Sequence, residues 1–223
     1  MGRLSGLIND PMGFLMDLLY TLPAIIIGLS MHEWAHAYVA YRLGDPTARN
    51  LGRLTINPAK HLDPLGFLSL VIFGIGWAKP VPINPRNFKN YRRDDIFVSL
   101  AGVTMNFLLA VVFYLILFAY WVFGGGNYHI EMIIFYVVYI NLVLMIFNLI
   151  PIPPLDGSHI LESLLIRRVG PKPFLFLNQY GRYILLVLVF TGFTSTIISA
   201  GADGILSLLS DFYYWIFHGL GLI

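Results

Sequence analysis

His32, Glu33 and His36 lie in the stretch SMHEWAHAYVA, directly after the apolar run Leu22 to Leu29. Ionisable groups are costly in hydrocarbon, so their position asks for a chemical reason. On a helix, residues four apart share a face one turn apart, so both imidazoles can bind one ion. Neutral imidazole suits Zn²⁺. Glu33 lies about 100° around the same helix, where it can reach a metal-bound water without being a ligand. That is the arrangement of a metal hydrolase: the ion lowers the pKa of its water to about 7, and the carboxylate takes the proton. The plainer reading is a pair of helix-end histidines that are only hydrogen-bonded.

Two histidines do not complete such a site, because catalytic zinc takes three protein ligands and leaves one position open. The remaining ligand has to come from another segment at the same depth. The break NLIPIPPLDG, Asn148 to Gly157, offers Asp156 after three prolines in a nearly uncharged segment. Gly157 lets the chain pass close to another helix. The alternative for Asp156 is a cap on a following helix, with Ser158 and His159 in its first turn.

These residues need elements to position them. The chain has 223 residues, 57% hydrophobic and 12% charged, against about a quarter charged in soluble domains. Several apolar segments reach the about 20 residues that a transmembrane helix needs. We therefore expect an all-α polytopic membrane protein of four to five transmembrane helices, with a re-entrant or hairpin element between the first two spans. The absence of cysteine excludes disulfides and thiolate metal sites. No small-residue cleavage site follows the first apolar segment, so it does not read as a removed signal peptide. No repeat, soluble domain or nucleic-acid-binding feature is evident.

The first span covers Met12 or Leu22 to Leu43, with Pro23 as a kink or a start, and RLGDP stops it. Gly66 to Trp77 is apolar but too short to cross, and it leads into AKPVPINP, whose prolines forbid a helix. Further spans are expected at Ile96 to Phe123, Ile130 to Ile150 and Tyr183 to Ala200, with a short helix from Ser158 to Arg168. Ile205 to Leu222 can span or lie in the interface. The whole chain reads as one domain: a lead-in over 1–21, a core over 22–165 and C-terminal helices over 166–223.

Of the 14 Lys and Arg, nine fall between the first two spans and four between the next pair, and only Arg3 lies elsewhere. Cytoplasmic loops collect Lys and Arg, so both basic connections are expected to face the cytosol. HEWAH and the break at Pro151 to Asp156 then reach the same depth on the cytosolic side of a cell membrane.

At this point HEWAHA at 32–37, together with NLIPIPPLDG at 148–157, resembles the site-2 protease family of intramembrane zinc metalloproteases. AGVTMNFLLA at 101–110 is similar to the family's glycine-and-asparagine motif. The blocks at 44–66 and 76–88 resemble the compact prokaryotic members without PDZ or CBS domains. The resemblance implies one Zn²⁺ per chain held by His32, His36 and Asp156, with Glu33 activating the water. It implies that Asn148 stabilises the oxyanion and that Asn106 lies near the site. The implied substrate is a transmembrane helix of another membrane protein, unwound locally so that its backbone can be reached. The 74–85 element either pairs with that strand or plugs the cavity.

Lys79 is a supporting candidate from AKPVPINP. His159 is either a partner of Asp156 or a surface histidine, and His61 and Asp63 are read mainly as turn residues. Two other classes compete. A zinc transporter would use the same ligands but needs no base and often shows repeats. A non-catalytic binder of membrane helices would not need Glu33.

Overall fold

The computed structural model describes residue 6, residues 8–73 and residues 76–223. From Pro11 onward the described residues form eight α-helices: α1 (Pro11–Arg42), α2 (Thr47–Asn50), α3 (Pro64–Phe73), α4 (Tyr91–Val122), α5 (Tyr128–Leu149), α6 (Asp156–Val169), α7 (Lys172–Phe190) and α8 (Phe193–Gly219). Five of them, α1, α4, α5, α7 and α8, are long and apolar enough to cross a membrane. Arg3 and parts of the 1–21 lead-in and of Gly66 to Trp77 lie outside the described residues.

The ends of the long helices follow local chemistry. α1 starts with Pro11 behind Asp10, whose carboxylate accepts from the Gly13 N–H. It runs through Pro23 without ending, so the first span is one helix rather than two pieces. It stops before Gly44, whose φ of 105° is a backbone state that favours glycine. Asn90 and Asn127 cap α4 and α5 through their side-chain oxygens. α5 ends where Pro151 begins the break.

α1 packs on both α4 and α5 through small residues, among them Ala24, Gly28 and Ala35. Small residues let helix backbones approach closely, which is how membrane bundles gain packing energy. A second contact layer joins α4, α5 and α8 around Val103, Tyr114, Val138, Leu142, Ala202 and Tyr213. Tyr114 and Tyr213 stack at 5.7 Å, and the Tyr213 hydroxyl donates to the Val111 carbonyl at 2.9 Å.

The fourth expected span, Tyr183 to Ala200, is corrected. Its apolar run is continuous in sequence, but Gly192 turns the chain at a φ of 77° and divides it between α7 and α8. Contacts then fix directions. Phe217 meets Phe118 near the end of α4, at 5.0 Å between rings. At the other end of α8, Phe193 and Thr194 share a cleft with Ile150, Ile152 and Leu188. Gly181 of α7 lies against Pro153. So α7 stays at the end of the bundle that holds the break and the basic connections. α8 rises from there alongside α5 and α4, which places Ile205 to Gly219 in a bundle helix. Four helices, α1, α4, α5 and α8, run the length of the bundle.

Between α1 and α4 the chain makes the expected re-entrant element in mixed form. α3 is one leg, and an extended strap over 76–84 is the other. A Cβ on Gly66 would collide with the Trp77 carbonyl, so the two legs touch where glycine allows it. The strap makes a single antiparallel bridge, Ala78 with Leu62, instead of a two-stranded hairpin.

The placement of α7 is testable because the chain has no cysteine of its own. In sealed vesicles, Asn50→Cys and Thr191→Cys should react with an impermeant maleimide from one side, and Leu222→Cys from the other. Thr191→Cys reacting from the side opposite Asn50→Cys would show that α7 crosses.

Candidate metal centre and catalytic cavity

α1 presents His32 and His36 on one face, with His32 Nε2 2.9 Å from His36 Nε2. Asp156, 120 residues beyond His36 in the chain, places Oδ2 3.2 Å and 3.4 Å from those nitrogens. The cap alternative for Asp156 is not what forms. α6 begins at Asp156 with no side-chain cap bond, and the carboxylate turns to the histidines instead. Gly157 makes this approach possible, since a Cβ there would strike the Leu149 carbonyl.

The other ring nitrogens fix the protonation pattern. His32 Nδ1 lies 2.6 Å from Asn106 Oδ1. The Asn106 amide nitrogen donates to Gly28 O at 3.2 Å and to Asn141 Oδ1 at 2.8 Å, which orients its oxygen toward His32. His36 Nδ1 faces the Val98 carbonyl at 2.7 Å. Both Nδ1 atoms are therefore donors, and in the neutral rings both Nε2 atoms carry bare lone pairs.

Two lone pairs and a carboxylate oxygen thus converge in a buried place. Asp156 Oδ2 is buried and accepts no hydrogen bond. Such a set repels itself unless a proton or a metal cation stands between the atoms. Donors at about 2.0–2.1 Å in a tetrahedral zinc site stand about 3.3 Å apart, close to the separations seen here. His32, His36 and Asp156 could hold one such ion, and their donor atoms all lie within 4.8 Å of one another.

Glu33 lines the same cavity of ≈ 340 Å³, together with Val81 of the strap and Asn148. Its Oε2 accepts from the Val81 N–H at 2.7 Å. Asn148 donates one amide hydrogen to Leu144 O at 2.9 Å, one turn back in α5. Asn106 is fully buried and reaches the site through His32.

His159 lines the cavity mouth but pairs with Asp95, not Asp156. Its Nδ1 is 3.8 Å from Asp95 Oδ2, and its side chain is 58% exposed. The neighbouring Asp95 carboxylate holds this imidazole above its ordinary pKa. Lys79 is exposed, and no atom of it lines the cavity. Its backbone rather than its ammonium is used, as described below. His61 and Asp63 do not line the cavity either. His61 is fully buried with Nε2 at 2.6 Å from Thr55 O, and Asp63 accepts from the Gly66 N–H at 2.8 Å, so both hold turns.

Sequence reasoning missed Asn141 and Val81, and it marked Gly102 only through the resemblance at 101–110, without a contact for it. A Cβ on Gly102 would stand 2.5 Å from both His32 Cε1 and His36 Nε2. This is the glycine of the 101–110 stretch, and its role is to leave room for the two rings. Asn141 is fully buried and anchors Asn106. Its signal was available, as a lone amide in the middle of an apolar span. Val81 contributes only backbone, which no side-chain pattern reports.

Two histidines and an aspartate that converge beside a glutamate, in a bundle of membrane-length helices, are the arrangement that a membrane-embedded metallopeptidase needs. The sequence model of peptidase family M50 matches residues 124–192. A Bacillus subtilis (strain 168) protein named "Putative zinc metalloprotease YwhC" is 40% identical over 203 residues, covering 87% of this chain and 92% of its own. Rip2 of Mycolicibacterium smegmatis, named in the same way, is 30% identical over 195 residues, 81% of this chain and 70% of its own. Zinc metalloprotease MJ0392 of Methanocaldococcus jannaschii is 24% identical over 192 residues, 86% of this chain and 46% of its own. No solved structure matches the chain. The chain belongs to peptidase family M50, the site-2 protease family. It is a zinc metalloendopeptidase and a multi-pass membrane protein.

Partners of ligating histidines commonly contribute 10- to 100-fold in metal affinity. Asn106→Ala should therefore weaken zinc binding about 10- to 100-fold, read by competition with a chelator. Gly102→Ala should lower zinc content further, because its methyl occupies the place of both rings. Full zinc content in Gly102→Ala would contradict this geometry.

Proposed function

We propose that this peptidase cuts transmembrane segments of other membrane proteins within the bilayer, near the cytosolic face of the cell membrane. The observation that carries this reading is the convergence of three bare donor atoms beside Glu33, inside a bundle of membrane-length helices. His32 stands ten residues before Arg42, the last residue of α1, or about 15 Å along the axis. The centre is thus set back from the helix end but within reach of water. The basic connections on that end support a cytosolic orientation.

The metal ligands in this proposal are His32, His36 and Asp156, and zinc bound there would polarise the scissile carbonyl and acidify its water. Glu33 is the base. Its carboxylate is turned into the cavity and is held by one backbone N–H, which leaves lone pairs free to accept a proton. Asn148 has a second amide hydrogen to offer to the developing oxyanion. Backbone carbonyls of a helical substrate are occupied by its own hydrogen bonds, so the segment unwinds before it is cut. The extended strap offers such a strand a backbone edge.

Zinc passage, the competing reading, gains no support from a glutamate held in place by the strap. Glu33→Gln separates the two. We expect zinc content equal to wild type and cleavage of a transmembrane substrate reduced at least about 100-fold. Cleavage at the wild-type rate by Glu33→Gln would overturn the proposal.

A further inference from the structure

The bond from Val81 to Glu33 raises the question of what holds Val81 in place. Among the described residues the strap joins no sheet and makes one isolated bridge. Yet its polar backbone groups are satisfied at two points by buried charged side chains from the connection that follows α1. Before Val81, the buried Arg53 donates from Nη2 to Lys79 O at 2.7 Å and reaches Pro80 O at 3.3 Å. The Lys79 N–H is bound in turn to His61 O at 2.7 Å. After Val81, the fully buried Asp45 accepts from the Asn84 N–H at 2.7 Å and from Asn87 Nδ2 at 2.7 Å. Asp45 also accepts from the Thr47 N–H at 3.1 Å and from the Thr47 hydroxyl.

Between those pins the side chains set the register. Val81 packs with Ala37 and Ala48, all three buried. Ala37 is one turn beyond Glu33 on α1, so the Val81 side chain rests on the same helix face that its N–H addresses. Burying a guanidinium and a carboxylate is costly unless each is hydrogen-bonded. Arg53 Nη2 bonds to the strap, while its Nε has no partner among the described residues; Asp45 ties the end of the strap at Asn84 to Asn87 just beyond it and to Thr47, and neither side chain touches the cavity. Burial alone would raise the Asp45 carboxyl, but the hydrogen bonds from Thr47, Asn84 and Asn87 outweigh it and hold the group below the usual range.

We propose that Arg53 and Asp45 are positioning residues of this peptidase. They pin the strap on either side of Val81, so that the Val81 N–H fixes the Glu33 carboxylate in the orientation from which it acts as base. The proposal rests on the reading of Glu33 as base. Arg53 suits its task because a planar guanidinium can address two neighbouring carbonyls, which a lysine ammonium does less well. Asp45 suits its task because both oxygens accept, whereas an asparagine would set an amide hydrogen against an N–H donor.

The test uses the full chain in detergent, with a transmembrane substrate that wild type cleaves. The variants are Arg53→Ala, Arg53→Lys, Asp45→Asn and Val81→Pro, the last of which removes the N–H donor and also fixes φ at that position. Four quantities are read: kcat, KM, zinc per chain, and amide exchange in the 76–87 peptide. We expect unchanged zinc, little change in KM, and kcat lower by about 10- to 100-fold, the scale of a misplaced catalytic group. Exchange should rise in 76–87 and not elsewhere in the Arg53 and Asp45 variants. Arg53→Lys should recover part of the loss seen in Arg53→Ala.

Faster strap exchange with unchanged kcat would overturn the proposal, as would a fall in kcat with unaltered exchange. Zinc loss in every variant would overturn it too, by showing a general collapse of the centre. Wild-type cleavage by Glu33→Gln in the same assay would remove the base assignment itself, and the proposal with it. A requirement for Glu33 alongside full activity of Arg53→Ala and Asp45→Asn would remove the proposal alone.

Discussion

The structure depends on a repulsion. Two imidazole nitrogens and one carboxylate oxygen are held within hydrogen-bonding distance of one another, and in the neutral rings no proton stands between them. In water such groups would separate. Here they are held by partners on their far sides: Asn106 behind His32, Val98 behind His36, and the α5–α6 turn behind Asp156. A divalent cation converts that repulsion into attraction, and metal binding then adds to the stability of the fold.

The packing of the bundle reads as support for this one point. α1 carries His32, His36 and Glu33, α4 supplies both ring partners, and α5 with its proline break delivers the Asp156 carboxylate. Gly28 of α1 makes room for α5, Gly102 of α4 for the two rings of α1, and Gly157 of α6 for the end of α5. The amide chain from Asn141 through Asn106 to His32 crosses from α5 to α4 to α1. Polar groups in this position are costly unless fully satisfied, and each amide here has its partners.

Much of the centre was legible in the sequence because helical periodicity carries it. The spacing of His32 and His36 states a shared face, and an acid stranded in an apolar segment states a need for a partner. What the sequence did not carry falls into two kinds. Contacts made by backbone or by the absence of a side chain leave no chemical signature, which hides Val81 and the contact that Gly102 makes with both rings. Partners set by long-range packing are equally silent, so His159 could not be assigned to Asp95 over Asp156, nor Arg53 to the strap. The division of α7 from α8 was obscured for another reason. Hydropathy runs unbroken across Thr191 and Gly192, and a left-handed glycine turns the chain without any polar loop.

The most direct test of the central claim is zinc K-edge X-ray absorption on the purified, metal-loaded protein. The account predicts a four-coordinate nitrogen and oxygen shell at about 2.0–2.1 Å with scattering from two imidazoles. It also predicts that Asp156→Ala changes the oxygen part of that shell while the imidazole part persists. A shell with fewer than two imidazoles, or one unchanged in Asp156→Ala, would contradict it.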